Sequence, residues 1–314
     1  MTAWRTSVLG AILAASIATM TAAQATSFVP LPAPGTPQQV AEAVAQSTSI
    51  RSIPANLTPS LAQAGLATFP HTALGKNCDF TCSWGKENAK PLVILFGDSH
   101  AYMWAPAVAR AVLAAHGRLI LYSSVGCVVA KLHLYGLWNN PNVYNTGCDK
   151  WRTKTIKEIQ AKKPTLVLLA ERTSNILSGP NTMVTDGAFR TGLATSMTEI
   201  KRSGAKVLML GDNPPFVNFL DPKGCLAQHP TAVQRCAAPL RASAALWRDR
   251  HGAEAAVAAA NGVSFFDSTK WICGKKTCSP IIGNMLAYRD GSHISTTYSA
   301  YLSRVIGEAM RGLY

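Results

Sequence analysis

A serine hydroxyl becomes a nucleophile at neutral pH only when a base stands within hydrogen-bond reach. Two segments far apart in the chain could meet that need. Leu92-Val93-Ile94-Leu95-Phe96-Gly97-Asp98-Ser99-His100 runs apolar and breaks at Gly-Asp-Ser, and Asp290-Gly291-Ser292-His293 lies near the C-terminus. Ser99 carries the hydroxyl. His293 has the imidazole that removes a proton and returns it to a leaving oxygen. Asp290 can hold the imidazole tautomer and stabilise the imidazolium. This set is suited to acyl transfer. The tetrahedral intermediate needs preorganised donors for its oxyanion. One candidate is the backbone N–H of Ser99 at a helix N-terminus. Another is Gly126, after the next apolar run, where no side chain blocks approach to the backbone. Asp98 is expected to fix the turn through backbone N–H groups. His100 is expected to touch substrate or support the turn. Tyr102 and Trp104, about one helical turn from Ser99, are the better placed aromatic residues for stacking on a sugar ring, ahead of Tyr135, Trp138 and Tyr288.

These groups need a scaffold that brings them to one place. Apolar runs at 91–96, 119–123, 165–170, 206–210 and 263–266 read as buried strands. Helical patterns at 101–116, 149–162, 187–203, 238–260 and 295–312 alternate with them, the last with Ser295 as N-cap. Such alternation implies right-handed crossovers. The expected fold is α/β, a three-layer α/β/α sandwich with a mainly parallel, flavodoxin-like sheet of about five strands. Ligands in such sheets bind beyond the carboxyl ends of the strands. Ser99 follows the first strand, and Asp290 and His293 follow the last, so both motifs fall on one rim.

The rest of the chain bounds the setting. Hydrophobic residues make up 48% and charged residues 15% of 314 positions, which excludes disorder over most of the length. Residues 1–25 read as a signal peptide, with Arg5, an apolar stretch from Val8 to Met20, and Ala23-Gln24-Ala25 before the cleavage point. The alternative is an uncleaved membrane anchor. Residues 26–89 read as a Pro-rich linker (26–40) and N-terminal extension, with the Cys78–Cys82 region a loop, and residues 90–314 as the catalytic domain. The expected location is exported, periplasmic or extracellular. Eight cysteines in an exported chain favour disulfides. Sequential pairing is expected: Cys78 with Cys82, Cys127 with Cys148, Cys225 with Cys236, and Cys273 with Cys278. The competing reading, structural zinc, lacks histidines at ligand spacing. No metal or cofactor is expected. Formal net charge is +14, from 30 Lys and Arg against 16 Asp and Glu. The basic residues are scattered, without a nucleic-acid recognition motif. An acidic glycan or an anionic envelope surface suits such a charge better than nucleic acid.

The motifs resemble the SGNH (GDSL-type) hydrolase superfamily over roughly residues 90–312. Gly97-Asp98-Ser99 matches its first block, Gly126 its second and Asp290-x-x-His293 its last. With His100, Gly126-Cys127 and Asp290-Gly291-Ser292-His293-Ile294-Ser295, the chain looks like SGNH domains fused to membrane acyltransferases that O-acetylate bacterial surface glycans. The resemblance implies an acyl-enzyme on Ser99 and a carbohydrate acyl ester as substrate. One departure stands out. The family's third block, Gly-x-Asn-Asp, is here Ala170-Glu171-Arg172-Thr173. Arg172 can substitute as an oxyanion donor, or bind substrate, or pair with Glu171; Asn175 and Asn213 are stand-ins further along, Asn213 within a Gly211-Asp212-Asn213 that mimics the missing block but follows the fourth strand and so is out of place in the strand order. Three roles remain open: a free exported esterase, a stand-alone transferase, or the partner of a separate membrane acyltransferase. A non-catalytic glycan-binding or assembly protein that keeps the fold is the alternative. A lipase or thioesterase is disfavoured by the lack of a long apolar lid.

Overall fold

The computed structural model describes residues 31–64, 81–136, 143–216, 221–240 and 245–314. Its centre is a six-stranded sheet of β1 (Thr81–Trp84), β2 (Leu92–Gly97), β3 (Arg118–Ser123), β4 (Leu166–Ala170), β5 (Lys206–Leu210) and β6 (Ser264–Phe266). The order is β1-β3-β2-β4-β5-β6. The last five strands in chain order are mutually parallel, and β1 runs antiparallel to β3 at the edge.

Successive side chains on a strand point to opposite faces, so each apolar run feeds two cores. Val93, Leu95, Leu119, Leu121, Leu166, Leu168, Leu208 and Leu210 face one layer. Ile94, Phe96, Ile120, Val167, Leu169, Val207 and Met209 face the other. Helix α1 (Pro37–Ser47), α2 (Ser99–Ala114), α6 (Thr296–Tyr301) and α7 (Ser303–Met310) cover the first layer, and α3 (Thr146–Lys162), α4 (Asp186–Lys201) and α5 (Ala245–Ala260) the second. Burial on both faces is why the strands read as continuous apolar runs without alternation.

The three-layer architecture is the expected one, with four local corrections. The region expected as a loop near Cys82 supplies β1, the sixth strand. The boundary of the expected linker moves from 40 back to Thr36, where helix begins at Pro37, because a proline at the first helical position gives up only an N–H that the helix would leave unbonded; Thr36 and Gln39 close a capping box there. Of the helix expected over 238–260, Ala245–Ala260 is helical, whereas Ala238–Pro239 pairs with Thr277–Cys278. The closing helix breaks at Leu302 into α6 and α7, with Ser295 capping α6 through the Tyr298 N–H at 3.0 Å.

Disulfides join Cys127 to Cys148, Cys225 to Cys236 and Cys273 to Cys278. Cys78 and residues 1–25 lie outside the described residues, so the Cys78–Cys82 pairing and the signal peptide do too. No helix among the described residues is long and apolar enough to cross a membrane.

Candidate active site

The site begins where β2 must turn sharply into α2. Gly97 is required there by a close approach: a Cβ would lie 1.7 Å from the Ala170 carbonyl oxygen of the neighbouring β4. Asp98 then caps α2, accepting from the His100 N–H at 2.8 Å. Its other oxygen accepts from the Arg172 N–H at 3.0 Å, which ties the loop after β4 to the turn. The Ser123 hydroxyl donates to the Asp98 carbonyl at 2.9 Å. Three strand ends are thus fastened around one aspartate, as its turn-fixing role requires. Ser99, the first residue of α2, remains half-buried at the rim.

The partners come from the loop before α6. Asp290 accepts from the Ser292 N–H at 2.9 Å and the His293 N–H at 2.8 Å, which folds the four-residue segment onto its own carboxylate. His293 Nδ1 lies 2.9 Å from Asp290 Oδ2, and its Nε2 lies 2.8 Å from Ser99 Oγ. With Nδ1–H donating to the carboxylate, Nε2 is left as acceptor for the hydroxyl proton, the tautomer a general base needs. Burial lowers the affinity of His293 for a second proton; Asp290 pulls it up and the His100 charge pulls it down, and the net effect is below the ordinary histidine value. Burial works against charge on Asp290 as well, but the bond and charge of His293 and the two backbone N–H groups hold its carboxyl well below the usual range. The loop after β5 braces this segment. Asn213 Nδ2 donates to the Ser292 carbonyl at 2.9 Å, the Phe216 N–H to Gly291 at 2.9 Å and the Tyr288 hydroxyl to Pro214 at 2.7 Å.

Beside Asp98 opens a cavity of about 330 Å³, lined among others by Gly126, Tyr135, Arg172, Ser174 and Asn175. Gly126 is exposed, with φ +71° and open space where a Cβ would be. Asn175, also with positive φ, reaches the same cavity. The expected oxyanion candidates Gly126 and Arg172 therefore share one hollow with Asn175. Asn213 does not join them, since it is buried and its amide is spent on Ser292.

Three substrate-contact expectations are corrected. Tyr102 and Trp104 are only 2% and 1% exposed and belong to the first core layer, Trp104 edge-on to Phe266. A ring packed on both faces offers none to a sugar. His100 is 2% exposed, and its Nδ1 lies 2.7 Å from Asp212 Oδ1, so of its two expected roles the structure favours support.

Sequence reasoning named Glu171 and Asp212 only in other roles, and missed Glu254 altogether; all three are buried acids beneath this rim. Asp212 Oδ2 accepts from both the N–H and the hydroxyl of Thr173 at 2.9 Å, and its own N–H donates to Glu254 at 3.0 Å. Glu171 is fully buried and accepts from the Ala130 N–H. Burial raises Glu171 to about 8 and Glu254 well above the usual carboxylate range, the latter helped by the charge of Asp212. The signal for Asp212 was present: Gly211-Asp212-Asn213 repeats the strand-end pattern of Gly97-Asp98-Ser99 on the same rim.

A mostly parallel sheet with a serine just past the end of a central strand, joined by an aspartate and a histidine from the loop before the last helices, is the architecture of the SGNH hydrolases. The chain belongs to the family described as SGNH domain (fused to AT3 domains), whose model matches residues 67–308. Among solved structures, the lipopolysaccharide acetyltransferase periplasmic domain of Salmonella ser. Paratyphi A is similar over 71% of this chain and 85% of that one, at 14% identity and a TM-score of 0.57. A putative acylhydrolase from Bacteroides fragilis matches 73% of this chain and 91% of its own at 14% identity and TM-score 0.45. A GDSL-like lipase from Bacteroides thetaiotaomicron matches 71% and 89%, again at 14% identity and 0.45. No curated protein sequence matches the chain.

Proposed function

We propose that this chain is an exported serine esterase or O-acyltransferase that handles acyl esters, acetyl above all, of cell-envelope glycans. The observation that carries the reading is the unbroken relay from Ser99 Oγ through His293 to Asp290, with links of 2.8 and 2.9 Å. In the first half-reaction Ser99 attacks the ester carbonyl while His293 Nε2 takes the hydroxyl proton. The oxyanion is received by the Ser99 and Gly126 N–H groups, with Arg172 and Asn175 as side-chain donors from the adjoining cavity. His293 then returns the proton to the leaving sugar oxygen. In the second half-reaction water or another sugar hydroxyl attacks the acyl-enzyme, again with His293 as base.

The disulfides among the described residues support export, since such bonds persist in oxidising compartments. The glycan part rests on the family's association with AT3 domains and on the likeness to a lipopolysaccharide acetyltransferase domain. A separate membrane acyltransferase is the partner that this association suggests, and the +14 charge suits peripheral contact with an anionic envelope surface.

The test is release of phenol from an aryl acetate by wild type and by Ser99→Ala. Equal rates would remove Ser99 as nucleophile. They would favour the second reading, a glycan-binding or assembly protein, which draws on the missing Asn of the third block. Product analysis with and without a glycan acceptor then separates transferase from esterase.

A further inference from the structure

Outside the Ser99 relay, the rim holds a second imidazole–carboxylate pair. His100 and Asp212 meet at 2.7 Å with both side chains buried, and the His100 ring centroid lies 4.8 Å from that of His293. Both Asp212 oxygens are occupied, one by His100 and one by Thr173, so the carboxylate is held as an anion in a site without water contact. The far nitrogen of His100, Nε2, is buried with no hydrogen-bond partner among the described residues.

We infer that His100 is a positioning residue: paired with Asp212, it forms a sealed cation–anion couple against the His293 ring that keeps the base unprotonated and so sets the pH at which Ser99 is activated. The charges facing each member agree with this. His100 is faced by Asp212 and Asp98, and on the other side by Arg172; burial opposes its charge but the carboxylates prevail, and it titrates above its ordinary value. His293 is lowered first by burial, raised by Asp290, and lowered further by the charges of His100 and Arg289, so that it titrates below its ordinary value. Behind Asp212, burial and the charge of Asp212 push Glu254 well above the usual carboxylate range, which weakens it as a competing anion. At ring-to-ring range a cation raises the free energy of a second cation, while the anion just behind it cancels part of that effect.

The catalytic consequence rests on His293 being the base of the proposed reaction; the electrostatic coupling does not, and NMR reads it without turnover. Imidazole nitrogen shifts of the full chain should show His100 cationic at a pH where His293 is neutral. His100→Asn keeps a donor at the Nδ1 position and removes the cation; Asp212→Asn removes the anion and leaves His100 neutral. His293 should titrate higher in both, more so in His100→Asn, by roughly half a unit to one unit. The acid limb of kcat/KM for an aryl acetate should move by the same amount. A neutral His100 in the wild type overturns the inference with no variant needed, as does an unmoved His293 in the two variants. A moved His293 with an unmoved acid limb upholds the coupling and instead removes His293 as the base of turnover.

Discussion

The rim carries two imidazole–carboxylate pairs built in opposite ways. Asp290 and His293 share one four-residue loop, lie partly open to solvent, and leave one imidazole nitrogen for Ser99. His100 and Asp212 are separated by 112 positions, come from the ends of different strands, and are sealed from water. The open pair can pass a proton to and from a bound ester. The sealed pair has no such route; its charges bind the turn after β2 to the loops after β4 and β5. Similar functional groups thus divide into chemistry and scaffold according to access to solvent.

Substitutions should break the two pairs differently. His293→Ala should lower kcat/KM on an aryl acetate by about 10⁴-fold or more while leaving the urea midpoint close to wild type. Asp290→Asn, which spoils the tautomer, should lower it by ~10³–10⁴-fold. Comparable losses of stability in these variants would erase the contrast. Asp212→Ala should act mainly on the fold, at about 3–5 kcal/mol in urea titration, because it takes the acceptor from three buried donors, the His100 ring N–H and the Thr173 N–H and hydroxyl. A loss near that of a surface substitution would show that the sealed pair holds nothing together.

A finer test concerns the acid under the same rim. Glu171 titrates near 8 in the fold, above its ordinary value, so the folded state holds that proton more tightly. Its contribution is complete below the unfolded value and is lost as pH climbs through about 8. Thermal melts of wild type between pH 5 and 9 should fall more steeply than those of Glu171→Gln, by a few degrees; parallel slopes would contradict it. Smallest is the pH profile of the wild type itself. With His293 lowered by burial, the acid limb of kcat/KM should lie below the ordinary histidine value of about 6.5, and a midpoint above it would place the base elsewhere.

The open pair was legible in the sequence because its members are three residues apart and their spacing alone brings them together. Ser99 was legible because a buried strand ending at Gly-Asp-Ser leaves a hydroxyl at the sheet rim. The strands from Leu92 to Phe266 were legible as apolar runs, and β1 was not, since Thr81-Cys82-Ser83-Trp84 at an edge needs no such run. The His100–Asp212 pair was invisible because only the β2–β4–β5 adjacency puts them in contact. Tyr102 and Trp104 misled because nearness along α2 says nothing about which face turns inward. Asn175 was legible as a stand-in for the missing Asn, but its left-handed backbone turn and its place in the cavity beside Asp98 were not, since neither follows from residue type or spacing.

The triple brace from Asn213, Phe216 and Pro214 to the histidine loop has a kinetic corollary. A base already splinted before any ester arrives has little entropy left to lose on reaching the transition state. Minimal acetates, with no sugar to grip, should therefore retain most of the kcat of larger esters and forfeit affinity instead.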